Sequence, residues 1–431
     1  MPPLRVVING GGIAGNTLGL LLARQGHTVT IVERFPALRT SGLQVDLRGS
    51  GIDVLRRIGL DAHFRQHAAA EQGMQIVDKK GRRRAFFPAN GGSTRNDAQN
   101  FTSDYEIMRG DFVQILRDEA KGAGVAHVYG HSAECTGQSP RSCSVRIGEQ
   151  VVECDLLVGA DGVQSRTRRQ LFEQHSEAGA VPGDSFYPLR GVYIAYYTAP
   201  IPIARDEEYV ATLYMAPGGR GFMTRRPRAD AIQVYAGGRS ATNELDAVAR
   251  GDTKKEKAVI RSLLEGAGWR TEELLQEMDR ADDFYCERIG LVKIPAWSRG
   301  RVVLLGDAAY CPSVNTGMGT TCAVIGAYIL AGEIGKRCPP SRESTAASDR
   351  VQEALKAYEA RFRPFMDQVQ EGILEESGPN FPDSRLGIEI FYWIAAAAAM
   401  FKVNVGKMMM KEKVKHWELP GDYGDTIGSG G

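Results

Sequence analysis

Residues 10–15 read Gly-Gly-Gly-Ile-Ala-Gly and stand between an apolar run (Val6, Val7, Ile8) and a second apolar stretch that closes on Glu33. Glycines at these spacings let a strand turn sharply into a helix that nearly touches it, a requirement of very few folds. Gly10 permits the tight turn, Gly12 lets backbone amides approach a pyrophosphate, and Gly15 lets the helix lie close on the strand, with Ile13 and Ala14 completing the motif. The helix start offers unpaired N–H groups and the positive end of a dipole to the phosphates. Glu33 closes a strand expected over 28–32, about 20 residues on, where an acid accepts hydrogen bonds from a ribose. This is a dinucleotide cradle, and alone it serves NAD(P) or FAD equally.

With 431 residues the chain suits two or three interleaved domains. Its 53 basic and 52 acidic residues nearly cancel, so no electrostatic footprint for nucleic acid exists. The cysteines at 135, 143, 154, 286, 311, 322 and 338 have no CxxC spacing and read as free thiols of a reducing compartment. Neither a secretory signal nor a run of about 18 apolar residues is present, so a cytoplasmic enzyme without stable membrane insertion is expected. The apolar stretch 388–401 is too short to span a bilayer. It reads either as a helix packed on the body or as a surface anchor with Lys407, Lys411, Lys413 and Lys415 near lipid.

Along the chain, residues 74–87 read as strands around a Lys80-Gly81 turn, and 89–103 as a polar loop. Asp111 is expected to cap a helix over 113–120, while Asp161 and Ser165 begin another after the apolar run 156–158. Four alternating runs between 186 and 238 predict an antiparallel sheet with one face toward a cavity, followed by helices over 254–265 and 272–279. Nucleotide-fold texture resumes at Arg301–Ala309, and a long helix begins near Gly317, so the β-rich module is inserted rather than appended. Asp307 stands at a strand end, and Gly317, Met318, Gly319 and Thr320 could present amide N–H groups at a helix start, so both are candidates for holding the rest of the cofactor.

Three spaced motifs, Gly10–Gly15 with Glu33, Asp161-Gly162, and Gly306-Asp307, together resemble the single-component FAD-dependent aromatic hydroxylases with the para-hydroxybenzoate hydroxylase fold. That group includes tetracycline-inactivating and natural-product monooxygenases. Glu33-Arg34 with Pro36, Arg109 in EIMRGD, Trp297 with Gly300-Arg301, and Tyr358-Glu359 with Arg363-Pro364 support the likeness, which covers roughly residues 4–370. It implies an α/β fold: a Rossmann-like FAD-binding domain (GR2-type) with an inserted antiparallel β-sheet substrate domain and a C-terminal helical segment. The corresponding boundaries are 1–73, 104–185 and 285–345 for FAD, 74–103 and 186–284 for substrate, and 346–431 for the C-terminal helices. The resemblance further implies that Arg34, Asp46, Arg109 and Asp161 lie at the cofactor, with Arg109 reaching the phosphates and ribityl chain. A second complete nucleotide cradle is absent, which fits NADPH or NADH docking transiently as reductant.

The implied reaction hydroxylates or epoxidises an aromatic or polycyclic small molecule with NAD(P)H and O2, through a flavin C4a-hydroperoxide that must be kept from water. No Ser or Cys nucleophile paired with His is visible, and the histidines, including His127 and His131, read as surface residues with no metal site. Tyr193, Met215 and Tyr235 are the candidates for lining the pocket, and Arg190 for stabilising a phenolate or enolate, although alternation alone does not say which face points inward. Around Asp307 the chain departs from the family: Tyr310 stands where relatives have His or Phe, and Val314-Asn315 where a proline is usual. Tyr310 is thus a catalytic candidate and Val314 a substrate contact. A flavin oxidase or dehydrogenase on a natural-product intermediate, or a non-catalytic flavoprotein, stays open, as does a monomer or weak homodimer.

Overall fold

Val6, Val7 and Ile8 are buried in the strand Arg5–Asn9, and Gly10, at φ +121°, ends it in a backbone conformation that only glycine adopts without strain. A side chain at Gly15 would meet the Gly10 carbonyl at 2.0 Å, so the helix Ile13–Arg24 can lie this close only as glycine. The computed structural model describes residues 2–39, 42–69, 71–89, 105–173, 186–205, 207–239, 244–340, 348–374, 382–401, 414–421 and 423. The first strand is central in a six-stranded sheet whose order is Ser298–Arg299, Val302–Leu304, Leu156–Gly159, Arg5–Asn9, Thr28–Glu33 and Ala126–Tyr129. All pairings are parallel except the hairpin at its Ser298 edge. Strands from both ends of the chain share this sheet, so the β-rich stretch between them is an insertion.

The inserted sheet has seven strands in the order Tyr285–Val292, Phe186–Ala199, Ala231–Arg239, Arg220–Arg228, Ala211–Ala216, Gly73–Val77 and Arg83–Pro88. It is not wholly antiparallel: Ala211–Ala216 runs parallel to Gly73–Val77, because the latter arrives from the nucleotide side rather than by a hairpin. One face (Tyr193, Ala195, Tyr197, Tyr214, Phe222, Val234) packs on Ile260, Leu264, Leu274, Leu275 and Met278 of the helices Thr253–Leu264 and Thr271–Arg280. Strand alternation sends the intervening residues to the other face, toward the nucleotide-binding sheet. At its far end that face is covered by the helix Arg385–Met400, whose Ile388, Tyr392 and Ala395 cluster with Ile76, Ala85, Phe87 and Met215. The Tyr392 hydroxyl donates to the Val77 carbonyl at 3.1 Å. The apolar stretch thus docks by one edge and leaves Leu386, Ile390, Trp393 and Ile394 exposed. Among the described residues no helix is long and apolar enough to cross a membrane; Lys407, Lys411 and Lys413 lie outside them, as does most of the expected loop, 90–103.

Two buried polar knots hold the layers. Arg225 ion-pairs with Glu71 and Glu106, both at 2.9 Å, and Gln44 donates to Glu106 at 2.7 Å. Asn9 donates to Thr167 Oγ1 at 3.0 Å and to Asp161 at 3.3 Å, while its carbonyl accepts from Ala133 N at 3.0 Å. Asp161 in turn accepts from the N–H groups of Arg166 and Thr167 at 2.8 and 3.1 Å, so it caps the helix Arg166–Glu173 as expected. Asp111 does not cap its helix, which already begins at Arg109 and places Asp111 in the first turn.

Replacing Asn9 by Ala leaves the buried Ala133 N–H without its acceptor, which costs about 1–3 kcal/mol. Asn9→Asp restores an acceptor but sets a carboxylate against Asp161, so it should be at least as destabilising above pH 6 or so and recover in acid, read by urea unfolding at several pH values.

Candidate cofactor and substrate site

Asn9, Gly10, Gly11, Gly12, Glu33, Arg34, Arg39, Arg109 and Asp161 line a single cleft, closed on its far side by Tyr285 of the inserted sheet. Most of the residues expected at the nucleotide therefore meet. Gly12 sits at the N-cap of the helix Ile13–Arg24 with no side chain capping it, so the first amides of that helix face the cleft unpaired. The Arg109 guanidinium lies 4.0 Å from where a Gly12 Cβ would stand. A helix N-terminus and a buried arginine repel one another unless an anion lies between them. Burial, with Arg39 beside it, lowers the Arg109 pKa, against the opposing pull of Asp307 and Glu33. Its charge is thus disfavoured in the protein alone, and a pyrophosphate is the anion the cradle fits.

Both oxygens of Glu33 are already oriented: one accepts from Gly11 N at 2.8 Å and the other from Phe35 N at 3.1 Å. Each keeps a lone pair for a ribose hydroxyl. Arg34 and Arg39 each lie 4.9 Å from the Phe35 ring centre. The Asp161 carboxylate is committed to its helix cap, so what it presents to the cleft is backbone as well as side chain.

At the other end, Gly306 takes φ +65° and turns the strand Val302–Leu304 into the helical turn Asp307–Tyr310. Asp307 is half-buried, and desolvation raises its pKa, while Arg109 and a hydrogen bond with Cys311 oppose the rise. The helix Gly319–Arg337 starts after Gly317 (φ +62°) and Met318 with no side-chain cap, so Gly319 and Thr320 leave amides free as expected, whereas the Gly317 and Met318 amides donate to the Val314 carbonyl and to Thr316 Oγ1, both at 3.1 Å. The Arg48 guanidinium covers Gly317 and pairs with Asp46. Asp46 is thereby held beside Gly317, at the end of the site away from the nucleotide cleft. Val314 lies 39% exposed in a short turn behind Ser313, which is buried with φ +69° and a hydroxyl that has no partner among the described residues. A positive φ at a non-glycine residue stores strain of the kind that clusters at functional sites.

On the inserted sheet the register aligns Tyr285, Tyr196, Tyr235, Met223 and Leu213 in one row across five strands, on the face toward the nucleotide sheet. Tyr196 and Tyr235 meet edge to face at 5.4 Å, and Tyr196 stacks on Tyr285 at 6.4 Å. Glu287, two residues along from Tyr285 on the same face, hydrogen-bonds with Tyr196; burial and the nearby Asp307 push its carboxyl up to about 7. Tyr235 thus stands where a pocket residue should. Tyr193 and Met215 do not. Tyr193 has the opposite parity and belongs to the core against the helices, whereas Met215 has the right parity but is roofed by the C-terminal helix.

Tyr310 is also corrected. Its ring packs against Trp297 at 4.7 Å and Phe362 at 5.2 Å, its hydroxyl meets that of Tyr358 at 3.1 Å, and it fills the space left by Gly326. It is a packing residue behind the Asp307 turn. The side chain of Arg190 lies outside the described residues. Sequence reasoning missed Tyr196, Glu287, Arg39 and Ser313, and only the cross-strand register could have singled out the first two.

One nucleotide cradle, an Asp-bearing turn opposite it and a β-sheet facing both define a flavoprotein of the single-cradle class. The sequence profile of the FAD binding domain family matches residues 4–371, and the chain belongs to that family as an FAD-dependent monooxygenase. It is 43% identical over 437 residues to the FAD-dependent monooxygenase asL4 of Sarocladium schorii, covering 99% of this chain and 100% of that protein. It is 36% identical over 442 residues to the flavin-dependent monooxygenase eupH of a Phoma species, covering 98% and 99%. The crystal structure of tetracycline destructase Tet(55) superposes with a TM-score of 0.77 at 26% identity, over 97% of this chain and 98% of that one.

Two substitutions separate cofactor contacts from packing. Arg109→Met should weaken FAD binding about 10–100-fold, the equivalent of one charge-assisted hydrogen bond, yet leave the FAD-free protein no less stable, because its buried charge is lost as well. Fluorescence titration and thermal unfolding read the two effects. Tyr310→Phe should lose about 1 kcal/mol of stability with FAD content and turnover unchanged.

Proposed function

We propose that this FAD-dependent monooxygenase uses NADPH or NADH and O2 to place one oxygen atom on an aromatic or polycyclic small molecule held between the inserted sheet and the flavin. The observation that carries the reading is the row Tyr285, Tyr196, Tyr235 and Met223, an aromatic surface opposite the Asp307 turn. Bound FAD supplies the oxygen-activating redox chemistry. The protein's part is to hold the cofactor, orient the substrate and exclude water.

The geometry supports the following cofactor assignments. The free amides after Gly12, with Ile13, Ala14 and the Arg109 guanidinium, hold the pyrophosphate, while Gly10 and Gly15 let the chain approach it. Glu33 accepts from the adenosine ribose, with Arg34 and Arg39 beside it and Asp161 on the opposite wall. Asp307 accepts from a ribityl hydroxyl, and the start of the helix Gly319–Arg337 points its dipole at the pyrimidine oxygens, where negative charge gathers on reduction. Tyr235 and Tyr196 wall the substrate. The division into a discontinuous cofactor unit, an inserted substrate unit and C-terminal helices is part of the same reading.

The test is turnover of a panel of polycyclic phenols by FAD-loaded protein with NADPH or NADH under isotopically labelled O2. One labelled atom per product molecule is expected. A product free of label would instead make the protein an oxidase or dehydrogenase, and purified protein that takes up no FAD would defeat the reading at its root.

A further inference from the structure

Glu287 is the one carboxylate that the strands of the inserted sheet turn toward the cofactor side among the described residues, and the cofactor assignments leave it without a task. Three observations bear on it. First, strand register pairs Glu287 with Ile194 on the same face as Tyr196 and Tyr235, not on the face buried against the helices. Secondly, Tyr196 is the hydroxyl neighbour whose hydrogen bond favours the charged form of the Glu287 carboxylate, and its ring meets Tyr235 on one side and Tyr285 on the other. Thirdly, Glu287 is deep in the fold but not sealed, since its residue keeps partial exposure while Tyr196 is 6% exposed.

We propose that Glu287 is the proton acceptor of the substrate cavity, positioned by Tyr196, and that the substrate accordingly carries an ionisable hydroxyl on an aromatic ring or enol. This rests on the monooxygenase reading above. In the step, the substrate O–H bond breaks and its proton forms a bond to a Glu287 carboxylate oxygen. The electron pair stays on the substrate oxygen and, by delocalisation, enriches the ring carbon that is to receive oxygen. No further oxidant or reductant takes part. Tyr196 keeps donating throughout and is a positioning residue.

The electrostatics suit a base that works near neutrality. Burial and Asp307 disfavour the charged form of Glu287, whereas the hydrogen bond from Tyr196 and the positive charges of Arg250 and Arg109 favour it. The balance places its carboxyl at about 7, where a general acid–base group is most effective. Tyr285, Cys286 and Cys311 are the remaining titratable groups around it, and the thiols are held neutral by burial. The sign follows directly. Below about pH 7 Glu287 is already protonated and accepts nothing, so ionisation of bound substrate is lost as the pH falls.

The probe is para-nitrophenol, whose phenolate absorbs in the visible, added to FAD-loaded enzyme. Near neutral pH the wild-type protein is expected to show a bound phenolate band with no net proton release to unbuffered medium, because Glu287 keeps the proton. In Glu287→Gln, which preserves shape, that band should fall about tenfold at the same pH, with Glu287→Asp recovering part of it. Tyr196→Phe should shift the acid limit of the band upward by about one pH unit, because the lost hydrogen bond favoured the charged carboxylate. FAD absorbance confirms that each variant is folded and loaded. An unchanged band in Glu287→Gln, or a wild-type enzyme that binds FAD but takes up the probe only in neutral form or not at all, overturns the inference. Either result leaves the monooxygenase reading standing, since incorporation of labelled oxygen decides that separately.

Discussion

The constraint on which the rest depends is the buried cluster of Arg225, Glu71, Glu106 and Gln44. It joins four stretches of chain where the inserted sheet meets the nucleotide side. A buried arginine is costly to desolvate, and two carboxylates around it are costly in turn, so the cluster contributes specificity of arrangement more than net stability. Burial pushes the Glu106 carboxyl up to about 7, with Arg225 opposing, which shows how little solvent reaches it. If one partner moves, a charge is left alone in the interior. The sheets are thereby fixed in one relative placement, and Arg109, three residues beyond Glu106, inherits its position over the cradle.

From that placement the site follows as two opposed electrostatic ends. The cradle end is positive, with uncapped helix amides and Arg109 converging on a gap that fits a pyrophosphate. The far end carries Asp307 and Glu287, both with raised carboxyl pKa, next to a second uncapped helix. Arg109 is felt by both carboxylates and links the two halves. Beside them stands the row of three tyrosines, of which Tyr196 is buried, Tyr235 half-buried and Tyr285 exposed.

The cradle was legible before any coordinates, because its glycines are required by local backbone geometry: the turn at Gly10 and the contact between Gly15 and Gly10 involve residues six positions apart or fewer. The inserted sheet was legible as strands for a similar reason, since period-two alternation is a local property. Which face of it would look inward was not. Tyr193 and Tyr235 read alike in sequence, yet one enters the helical core and the other the cofactor side, a choice made by the pairing of Val192–Ala199 with Ile232–Arg239 and by the helices Thr253–Leu264 and Thr271–Arg280. Met215 failed for another reason: a helix 170 or more residues later in the chain covers it. Tyr310 misled because its neighbour Asp307 is at the site, whereas a helical turn between them rotates its ring into the aromatic core with Trp297 and Phe362.

The sequence by itself determined the fold class, the cofactor and the ends of the cleft, since these rest on turns, helix starts and alternation that neighbouring residues impose on one another. Tertiary structure alone decided which side chains share the cavity. Glu287 and Tyr196 are 91 positions apart and meet only because two strands pair in one register; a slip of one residue would turn Glu287 to the opposite face from Tyr196.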